Sequence, residues 1–349
     1  MDRSIVISLD AMGGDHAPRV VVEALRSARL QIPDLRFILF GDQKAIERYL
    51  DDEMRPFVEI RHTDDVISSD EKPSQALRRG KKSSMRLAID AVRDGDAQGV
   101  VSGGNTGALM AMSLFSLRPV SGIDRPAIAG FMPTMRGESV MLDLGANAVC
   151  DETNLVQFAL LGADFCRAVL GREIPSVGLL NIGEEELKGN EVVRGAAERL
   201  RAMENPGFRY RGFVEGTDIT KGTVDVIVTD GFSGNVALKS HEGAARMVAY
   251  TLRQAMTASW AGKLGAFIAR GAFRRLRERL DPNGYNGGVF LGLNGVVVKS
   301  HGGANATGFT SAIRLAADMV RDGMIDRITR DFEIAGFKAE KPQQHAGNA

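Results

Sequence analysis

The stretch SIVISLDAMGGDHAPRVVVEALRSARLQ, residues 4–31, decides the fold class. It opens with the apolar run SIVISL, typical of a strand covered on both faces, and closes with apolar residues at helical spacing. Between them lies LDAMGGDHAP, residues 9–18, in which two carboxylates, one imidazole and two adjacent glycines stand where the strand should end. The stretch therefore predicts a strand, a glycine-rich loop and a helix, the repeating unit of a parallel α/β sheet.

The same alternation continues along the chain. Helical patterns such as residues 154–170 lie between short apolar runs, and these runs predict further strands at 36–41, 57–61, 98–102, 139–144, 176–182, 224–229 and 295–300. We therefore expect an α/β fold with a mostly parallel sheet, in one domain over residues 1–337. An amphipathic helical hairpin is expected as an insertion at about 240–280, and the polar end, residues 338–349, is expected to be disordered.

Composition excludes several classes of protein. Of 349 residues, 44% are hydrophobic and 25% charged, and 44 basic residues balance 44 acidic ones. Such a chain has no overall field to attract nucleic acid, so no nucleic-acid partner is expected. Two cysteines, Cys150 and Cys166, are too few for a disulfide framework and favour a reducing compartment. Without a signal-peptide pattern or a run of about 20 apolar residues, we expect a cytoplasmic protein.

Glycine and small polar residues follow four later strands, in SGGNTGALMA (102–111), DLGANA (143–148), NIGEEELKGNE (181–191) and TDGFSGNVALK (229–239). In open parallel sheets the ligand lies beyond the carboxyl ends of the strands, so we expect these loops to meet at one edge. Glycine allows close backbone approach, and free amides at a helix start attract anions. Each loop alone is weak evidence and favours a simple tight turn, but together the loops favour a shared site for a phosphate-type ligand.

These motifs, together with DAMGGDHAP and VVVKSHG, occur in an order and spacing that resemble the bacterial phosphate acyltransferases of the PlsX family, over roughly residues 4 to 330. The resemblance implies a three-layer α/β/α homodimer similar to phosphotransacetylases and isocitrate dehydrogenase-like enzymes. It also implies transfer of an acyl group from acyl carrier protein to inorganic phosphate, which feeds phospholipid synthesis. The chain departs from the family pattern where GANAV replaces GANVD, so that Val149 stands in place of a carboxylate.

This chemistry requires cations and amides more than a nucleophile. Phosphate is largely dianionic near neutral pH and a thiolate leaves readily, so neither a serine or cysteine nucleophile nor a metal or cofactor is expected. The catalytic candidates are Lys188 and Asn235, for the oxyanion and phosphate, and His301, for phosphate or the departing sulfur. The alternatives are a solvated surface lysine, a helix-capping asparagine and a structural histidine.

The candidates for substrate binding come from the same loops. Asp10 and Asp15 are assigned to hydrogen bonds with amides or to pairing with lysine, because carboxylates repel phosphate. A metal site in this aspartate-rich loop is the rival interpretation. The full set of expected substrate-binding residues is Asp10, Gly13, Gly14, Asp15, His16, Gly104, Asn105, Thr106, Gly107, Asn147, Asn181, Gly234 and Lys239.

Two surface segments indicate partners. Residues 72–86, KPSQALRRGKKSSMR, hold six basic residues and no acidic one, which favours a helix that docks acidic acyl carrier protein, or a solvated helix face. The docking residues are Arg78, Arg79, Lys81 and Lys82. Residues 260–279, WAGKLGAFIARGAFRRLRER, mix aromatic and aliphatic residues with arginines, which suits peripheral contact with the inner face of the cell membrane or a dimer interface. The membrane-contact candidates are Leu264, Phe267 and Ile268.

Other functions stay open on the sequence. A phosphotransacetylase acting on a coenzyme A thioester is the nearest enzyme alternative, and a non-catalytic scaffold at the membrane surface is the alternative of another class. The product also implies a downstream glycerol-3-phosphate acyltransferase as a partner. A nicotinamide dehydrogenase is disfavoured, since no glycine triplet opens a strand–helix unit with an acidic residue about 20 positions on.

Overall fold

The computed structural model describes residues 4–273 and 287–337. Strands and helices alternate through the first 120 residues, as the opening stretch predicts. The elements of this part are β1 (Ile5–Asp10), α1 (Arg19–Gln31), β2 (Leu35–Gly41), α2 (Gln43–Glu47), a 3₁₀ turn (Arg55–Phe57), β3 (Val58–His62), α3 (Pro73–Arg79), α4 (Ser84–Arg93), β4 (Gly99–Ser102) and α5 (Thr106–Leu117).

The remaining elements include three strands that the apolar runs did not indicate, namely β5, β8 and β10. The second part comprises β5 (Ala127–Thr134), β6 (Gly137–Leu142), α6 (Glu152–Leu170), β7 (Ser176–Leu180), α7 (Glu191–Ala202), β8 (Arg209–Val214), α8 (Gly216–Lys221), β9 (Val226–Val228), α9 (Gly231–Thr257), α10 (Trp260–Ile268), β10 (Gly288–Leu291), β11 (Val296–Lys299), α11 (Ala306–Asp322) and α12 (Met324–Ile334).

Within the described residues, one 11-stranded sheet runs in the order β3-β2-β1-β4-β11-β10-β5-β6-β9-β7-β8. Its first five strands are mutually parallel, and so are its last four. Between these blocks, β10 pairs antiparallel with β11 and with β5, and β5 pairs antiparallel with β6. The sheet is therefore mostly parallel, as expected, but its two parallel blocks run in opposite directions.

This reversal decides where the loops leave the sheet. Leu142 is in register with Ala129, and through Val289 with Val298 near the end of β11. The carboxyl ends of both blocks thus lie in one register row, which the two blocks approach from opposite sides. Because β10 and β5 reverse the strand direction between the blocks, the loops that follow the two blocks leave this row in opposite directions. That all the glycine-rich loops meet at one site stays a prediction.

Helices cover both faces of the sheet, which confirms the three-layer α/β/α architecture. In β2, Phe37 and Leu39 pack into the core beneath α1, α6, α11 and α12, whereas Ile38 and Phe40 pack into the core beneath α3, α4 and α5. A third apolar cluster on Met132, Met141 and Ile227 lies against α8 and the first turns of α9. Apolar residues on both faces of each central strand explain the continuous apolar runs.

Helix α9 extends away from the sheet and its covering helices after its first turn. Beyond its first turn none of its residues is buried, although it packs against α10. The two helices correspond to the amphipathic hairpin expected at about 240–280, of which residues 274–280 lie outside the described residues, as does the expected tail at 338–349. Over the described ranges, no helix combines the length and the apolar character that crossing a membrane requires.

Candidate active site

The loops that follow β1, β4 and β11 interlock. We call residues 11–16, 103–107 and 300–303 the glycine cluster. Asp15 N donates to Gly302 O at 2.9 Å, and a Cβ at Gly103 would lie 2.7 Å from Gly13 O. A Cβ at Gly13 would collide with the Asp10 carboxylate. Glycine is therefore required here because backbone packs directly on backbone.

A buried carboxylate lies beneath the glycine cluster. Asp10 is only 1% exposed, and its two oxygens accept hydrogen bonds from Ser84 Oγ at 2.6 Å and Ser102 Oγ at 2.7 Å. Gly104 N donates to the same Ser102 hydroxyl at 3.0 Å, so Asp10 is linked to the turn that begins α5. Burial raises the pKa of Asp10, against the lowering effect of its hydrogen bonds and of nearby Lys299.

Lys299 is the residue of this cluster that the sequence analysis missed. Its ammonium donates to Gly103 O at 3.2 Å and to Ser300 O. Burial lowers the pKa of Lys299 to about 8, against the opposing effect of Asp10 and Asp15. The signal was present in VVVKS, where a charged residue ends an otherwise apolar strand.

The remaining members of the glycine cluster face outward. Gly14, His16 and His301 line one narrow recess of about 10 Å³, room for about one water molecule. The side chains of His16, His301 and Asp15 are exposed, and His301 Nδ1 accepts from Gly303 N at 3.3 Å.

Asn105 connects the glycine cluster to the basic segment. Its Oδ1 accepts from Ala108 N at 2.9 Å and so caps α5, while its Nδ2 donates to Ser69 O and Glu71 O, both at 2.9 Å. Thr106 begins α5 and is exposed, and Gly107 approaches Pro73 at the start of α3. The turn from Gly104 to Gly107 is therefore fixed against residues 69–73.

The basic segment does not form the single helix that was expected. It comprises α3, a turn and the start of α4, because Gly80 ends α3 where a Cβ would collide with Ile67, and Ser83 caps α4 by accepting from Arg86 N at 3.2 Å. The four expected docking residues are all exposed and, among the described residues, none has an acidic ion-pair partner; they are Arg78, Arg79, Lys81 and Lys82.

The loops that follow β6 and β9 form a second group. We call residues 143–147 and 229–235 the amide cluster. Asn147 Nδ2 donates to Pro126 O at 2.8 Å and to Asp143 Oδ2 at 2.9 Å, and Asn235 Nδ2 donates to Leu144 O at 3.0 Å. The cap of α9 is Asp230, which accepts from Ser233 N at 2.8 Å, so Asn235 is not a helix cap.

Lys188 lies on the neighbouring loop, residues 181–190, which follows β7. Asn181 Nδ2 closes this loop by donating to Gly183 O and Lys188 O, each at 3.1 Å. The Lys188 side chain is exposed, and within the described part of the chain no carboxylate pairs with its ammonium. Leu142, Val228 and Leu179 share one register row, so this loop and the amide cluster leave the sheet side by side.

The predicted residues thus fall into two sets. Asn147, Gly234 and Asn235 are brought together, with Lys188 and Asn181 on the adjacent loop. The other set, on the loops that follow β1, β4 and β11, contains Asp10 to His16, Gly104 to Gly107 and His301. Lys239 lies one turn beyond Asn235 on α9, where it is exposed and pairs with Glu242 at 3.1 Å.

The side chains present suit anion binding better than nucleophilic attack. Burial raises the pKa of Cys150 to about 11 and that of Cys166 to about 12, so both thiols stay protonated near neutral pH. Over residues 4–273 and 287–337, the side chains of His, Cys, Asp and Glu form no group of three that could hold a metal ion. Lys188 carries a cationic donor, and the Asn235 side-chain amide is a donor that already forms one hydrogen bond, to Leu144 O.

Comparison with known structures supports this fold. A phosphotransacetylase of Streptococcus pyogenes superposes with a TM-score of 0.63 at 17% identity, covering 92% of this chain and 95% of that one. A branched-chain phosphotransacylase of Enterococcus faecalis gives 0.57 at 15% identity, covering 90% and 99%. At these identities the likeness concerns the fold alone.

Sequence comparison is more specific. The model of a family described as fatty acid synthesis protein matches residues 5–327. A phosphate acyltransferase of Paramagnetospirillum magneticum is 51% identical over 348 residues, which is 99% of each chain. Another, of Rhodospirillum centenum, is 55% identical over 341 residues, 97% of this chain and 95% of the relative. The chain therefore belongs to this family of fatty acid synthesis proteins and is an acyltransferase that uses phosphate.

Proposed function

We propose that the acyl donor is a thioester of acyl carrier protein and that the acyl phosphate product feeds phospholipid synthesis. A phosphate oxygen attacks the thioester carbonyl, the C–S bond breaks, and carrier thiolate leaves. The observation that carries the proposal is that the Lys188 ammonium lies on the loop that follows β7 and the Asn235 amide in the first turns of α9, which follows the adjacent strand β9. Both are donors suited to phosphate and to the carbonyl oxyanion.

The remaining candidate residues have supporting roles in the proposed reaction. Asn147, Asn181, Gly234 and Lys239 shape or charge the surroundings of this donor pair. The parent thiol of the leaving group has a pKa of about 8.5, so departure requires no acid. His301 lies in the glycine cluster, and we propose that it contacts the carrier's phosphopantetheine arm or phosphate there. The arm is long and flexible, which allows docking at one cluster and reaction at the other.

The test is phosphate-dependent release of carrier thiol from long-chain acyl carrier protein. Lys188→Ala and Asn235→Ala should each lower kcat about 100- to 1000-fold, the usual effect of losing one oxyanion donor. Lys221→Ala removes a lysine that pairs with Asp218 on α8 and should leave kcat unchanged. Wild-type kcat in both Lys188→Ala and Asn235→Ala would overturn the assignment.

Carrier docking is proposed for the basic segment. Its four exposed cations lie at and just beyond the end of α3, whose first residue, Pro73, approaches Gly107, and they complement an acidic partner. Arg78→Glu/Arg79→Glu should raise KM for acyl carrier protein about tenfold or more and leave KM for acyl coenzyme A unchanged. The matched control is Arg209→Glu/Arg211→Glu on β8, at the far edge of the sheet. Faster turnover of acetyl coenzyme A than of acyl carrier protein would instead favour the phosphotransacetylase alternative.

We propose that α9 and α10 form the contact of a homodimer and also lie on the inner face of the cytoplasmic membrane. Three apolar side chains of α10 are exposed, Leu264 by 46%, Phe267 by 64% and Ile268 by 76%, beside the cations Lys263 and Arg270. Phe267→Glu/Ile268→Glu should abolish flotation with phosphatidylglycerol vesicles. A dimer interface on this patch would instead show as a change of mass in light scattering.

Two further measurements test the non-catalytic scaffold alternative and the proposed downstream enzyme. Vesicle binding by wild type without phosphate-dependent thiol release would support the non-catalytic scaffold. A glycerol-3-phosphate acyltransferase is the proposed consumer of the acyl phosphate, and its addition should accelerate turnover when product accumulates.

A further inference from the structure

Asp143 is a buried carboxylate that the proposed mechanism does not use. It follows β6, is fully buried, and within the described part of the chain accepts hydrogen bonds from N–H groups only. Its Oδ1 accepts from Ile128 N at 3.0 Å, Gly145 N at 3.1 Å and Ala146 N at 3.0 Å. Its Oδ2 accepts from Asn147 N at 2.7 Å and from Asn147 Nδ2 at 2.9 Å. One side chain thereby fixes the whole loop from 144 to 147.

The first turns of α9 pack against that loop. Asn235 Nδ2 donates to Leu144 O at 3.0 Å, and a Cβ at Gly145 would lie 3.0 Å from the same nitrogen. Gly231 N donates to Asn147 O at 2.8 Å, and a Cβ at Gly234 would overlap Asp143 O. The direction of the Asn235 amide therefore depends on a loop that Asp143 holds in place.

We infer that Asp143 is the positioning residue of the amide cluster, and that it acts on the reaction through the Asn235 amide. This inference rests on the proposed role of Asn235. Backbone N–H groups can only donate, so the four that converge on this side chain, together with the Asn147 side-chain amide, require an acceptor at both of its oxygens. An asparagine at position 143 would turn an NH₂ group toward one set of these donors and displace the loop.

The first test is Asp143→Asn in the phosphate-dependent thiol-release assay. We expect kcat to fall about 100-fold, the usual effect of a 1 Å misplacement, with KM for phosphate changed less than about threefold. In an Asn235→Ala background the same substitution should lower kcat less than about threefold, because its effect passes through Asn235. Equal losses in both backgrounds would overturn the inference.

A matched control separates positioning from folding. Asp218 is a buried carboxylate, 4% exposed, that accepts from Glu215 N at 2.9 Å at the start of α8, outside both clusters. Asp218→Asn should lower the unfolding midpoint without changing kcat. If Asp143→Asn fails to fold, Asp143→Ser takes its place, since a hydroxyl keeps an acceptor without presenting an amide.

A second readout is independent of the chemistry. The side-chain amide resonance of Asn235, identified by its loss in Asn235→Ala, should shift in Asp143→Asn and not in Asp218→Asn. If Asn235→Ala retains wild-type kcat, the proposed role of Asn235 fails, and the resonance alone then decides whether Asp143 positions it. An unshifted resonance would overturn the inference.

Discussion

The glycine cluster and the amide cluster each enclose a buried aspartate, but the two carboxylates are held differently. Asp10 accepts from the hydroxyls of Ser84 and Ser102 and lies near the ammonium of Lys299. Asp143 accepts from N–H groups alone. Hydroxyl groups rotate and can donate or accept, whereas backbone N–H groups have one direction and one role. The glycine cluster should therefore tolerate electrostatic change that the amide cluster does not.

The largest effect is expected from steric change in the amide cluster. Gly234→Ala places a Cβ on Asp143 O, so we expect a loss of about 3 kcal/mol or more in the free energy of unfolding. Gly243→Ala is the matched control in α9, since no atom lies within 4 Å of the added Cβ, and it should stabilise by about 0.5–1 kcal/mol. Denaturant titration measures both, and a small loss in Gly234→Ala would show that the cluster can relax.

Exchanging each of the two buried aspartates for asparagine tests the difference between the two clusters directly. Asp143→Asn should cost about 3 kcal/mol of unfolding free energy, because at least one N–H donor then faces another donor. Asp10→Asn should cost less than about 1 kcal/mol, because a serine hydroxyl can reverse its hydrogen bond. Equal costs in urea titration would remove the distinction between the clusters.

The Asp10 substitution also has a pH dependence. Burial raises the folded-state pKa of Asp10 above its ordinary 3.8, so the contribution of Asp10 to stability is present at low pH and is lost as pH rises through the raised value. Asp10→Asn should therefore gain stability relative to wild type as pH rises from about 4 through the raised pKa. A constant difference across that range would contradict the raised pKa.

The contribution of Lys299 to stability should change with pH in the opposite direction, and at higher pH. Burial lowers its folded-state pKa from 10.5 to about 8, so the unfolded chain binds more protons between these values. The stability of wild type relative to Lys299→Met should therefore rise as pH increases from about 8 toward 10.5. Thermal unfolding at several pH values measures the difference, and a flat difference would exclude a buried ammonium.

A small effect is also expected at Asn105, which joins the glycine cluster to the basic segment. Asn105→Ala removes the cap of α5 and should cost about 1 kcal/mol. Asn105→Asp keeps the capping oxygen but loses the donor to Ser69 O and Glu71 O, so it separates the two roles. If both variants match wild type in denaturant titration, neither contact stabilises the turn.

Most strands were visible in the sequence because a strand buried on both faces is apolar throughout, as in β1, β4 and β11. The strands β5, β8 and β10 escaped detection. In β5, AIAGFMPT contains glycine and proline and alternates between buried and half-buried positions, so no continuous apolar run marks it. Two of these three strands are the antiparallel ones, and they decide that the two sets of loops point in opposite directions.

The sequence indicates which polar residues could bind substrate, but it does not indicate which of them lie together in space. Asn147, Asn181, Lys188 and Asn235 stand out in glycine-rich loops, and the structure places them on neighbouring loops. Lys299 and Asp143 were not singled out, because their importance lies in contacts with residues distant in the chain. Asp10 contacts Ser84 and Ser102, 74 and 92 positions away, which no local pattern contains.

The sequence by itself determined the α/β class, the loops that carry polar chemistry and the family, since these depend on local periodicity and on motif order. Only the tertiary structure decided which loops share an end of the sheet and which carboxylates hold them. The reason is physical: strand direction and the satisfaction of buried polar groups are settled by pairing between segments far apart in the chain, where local patterns carry no information.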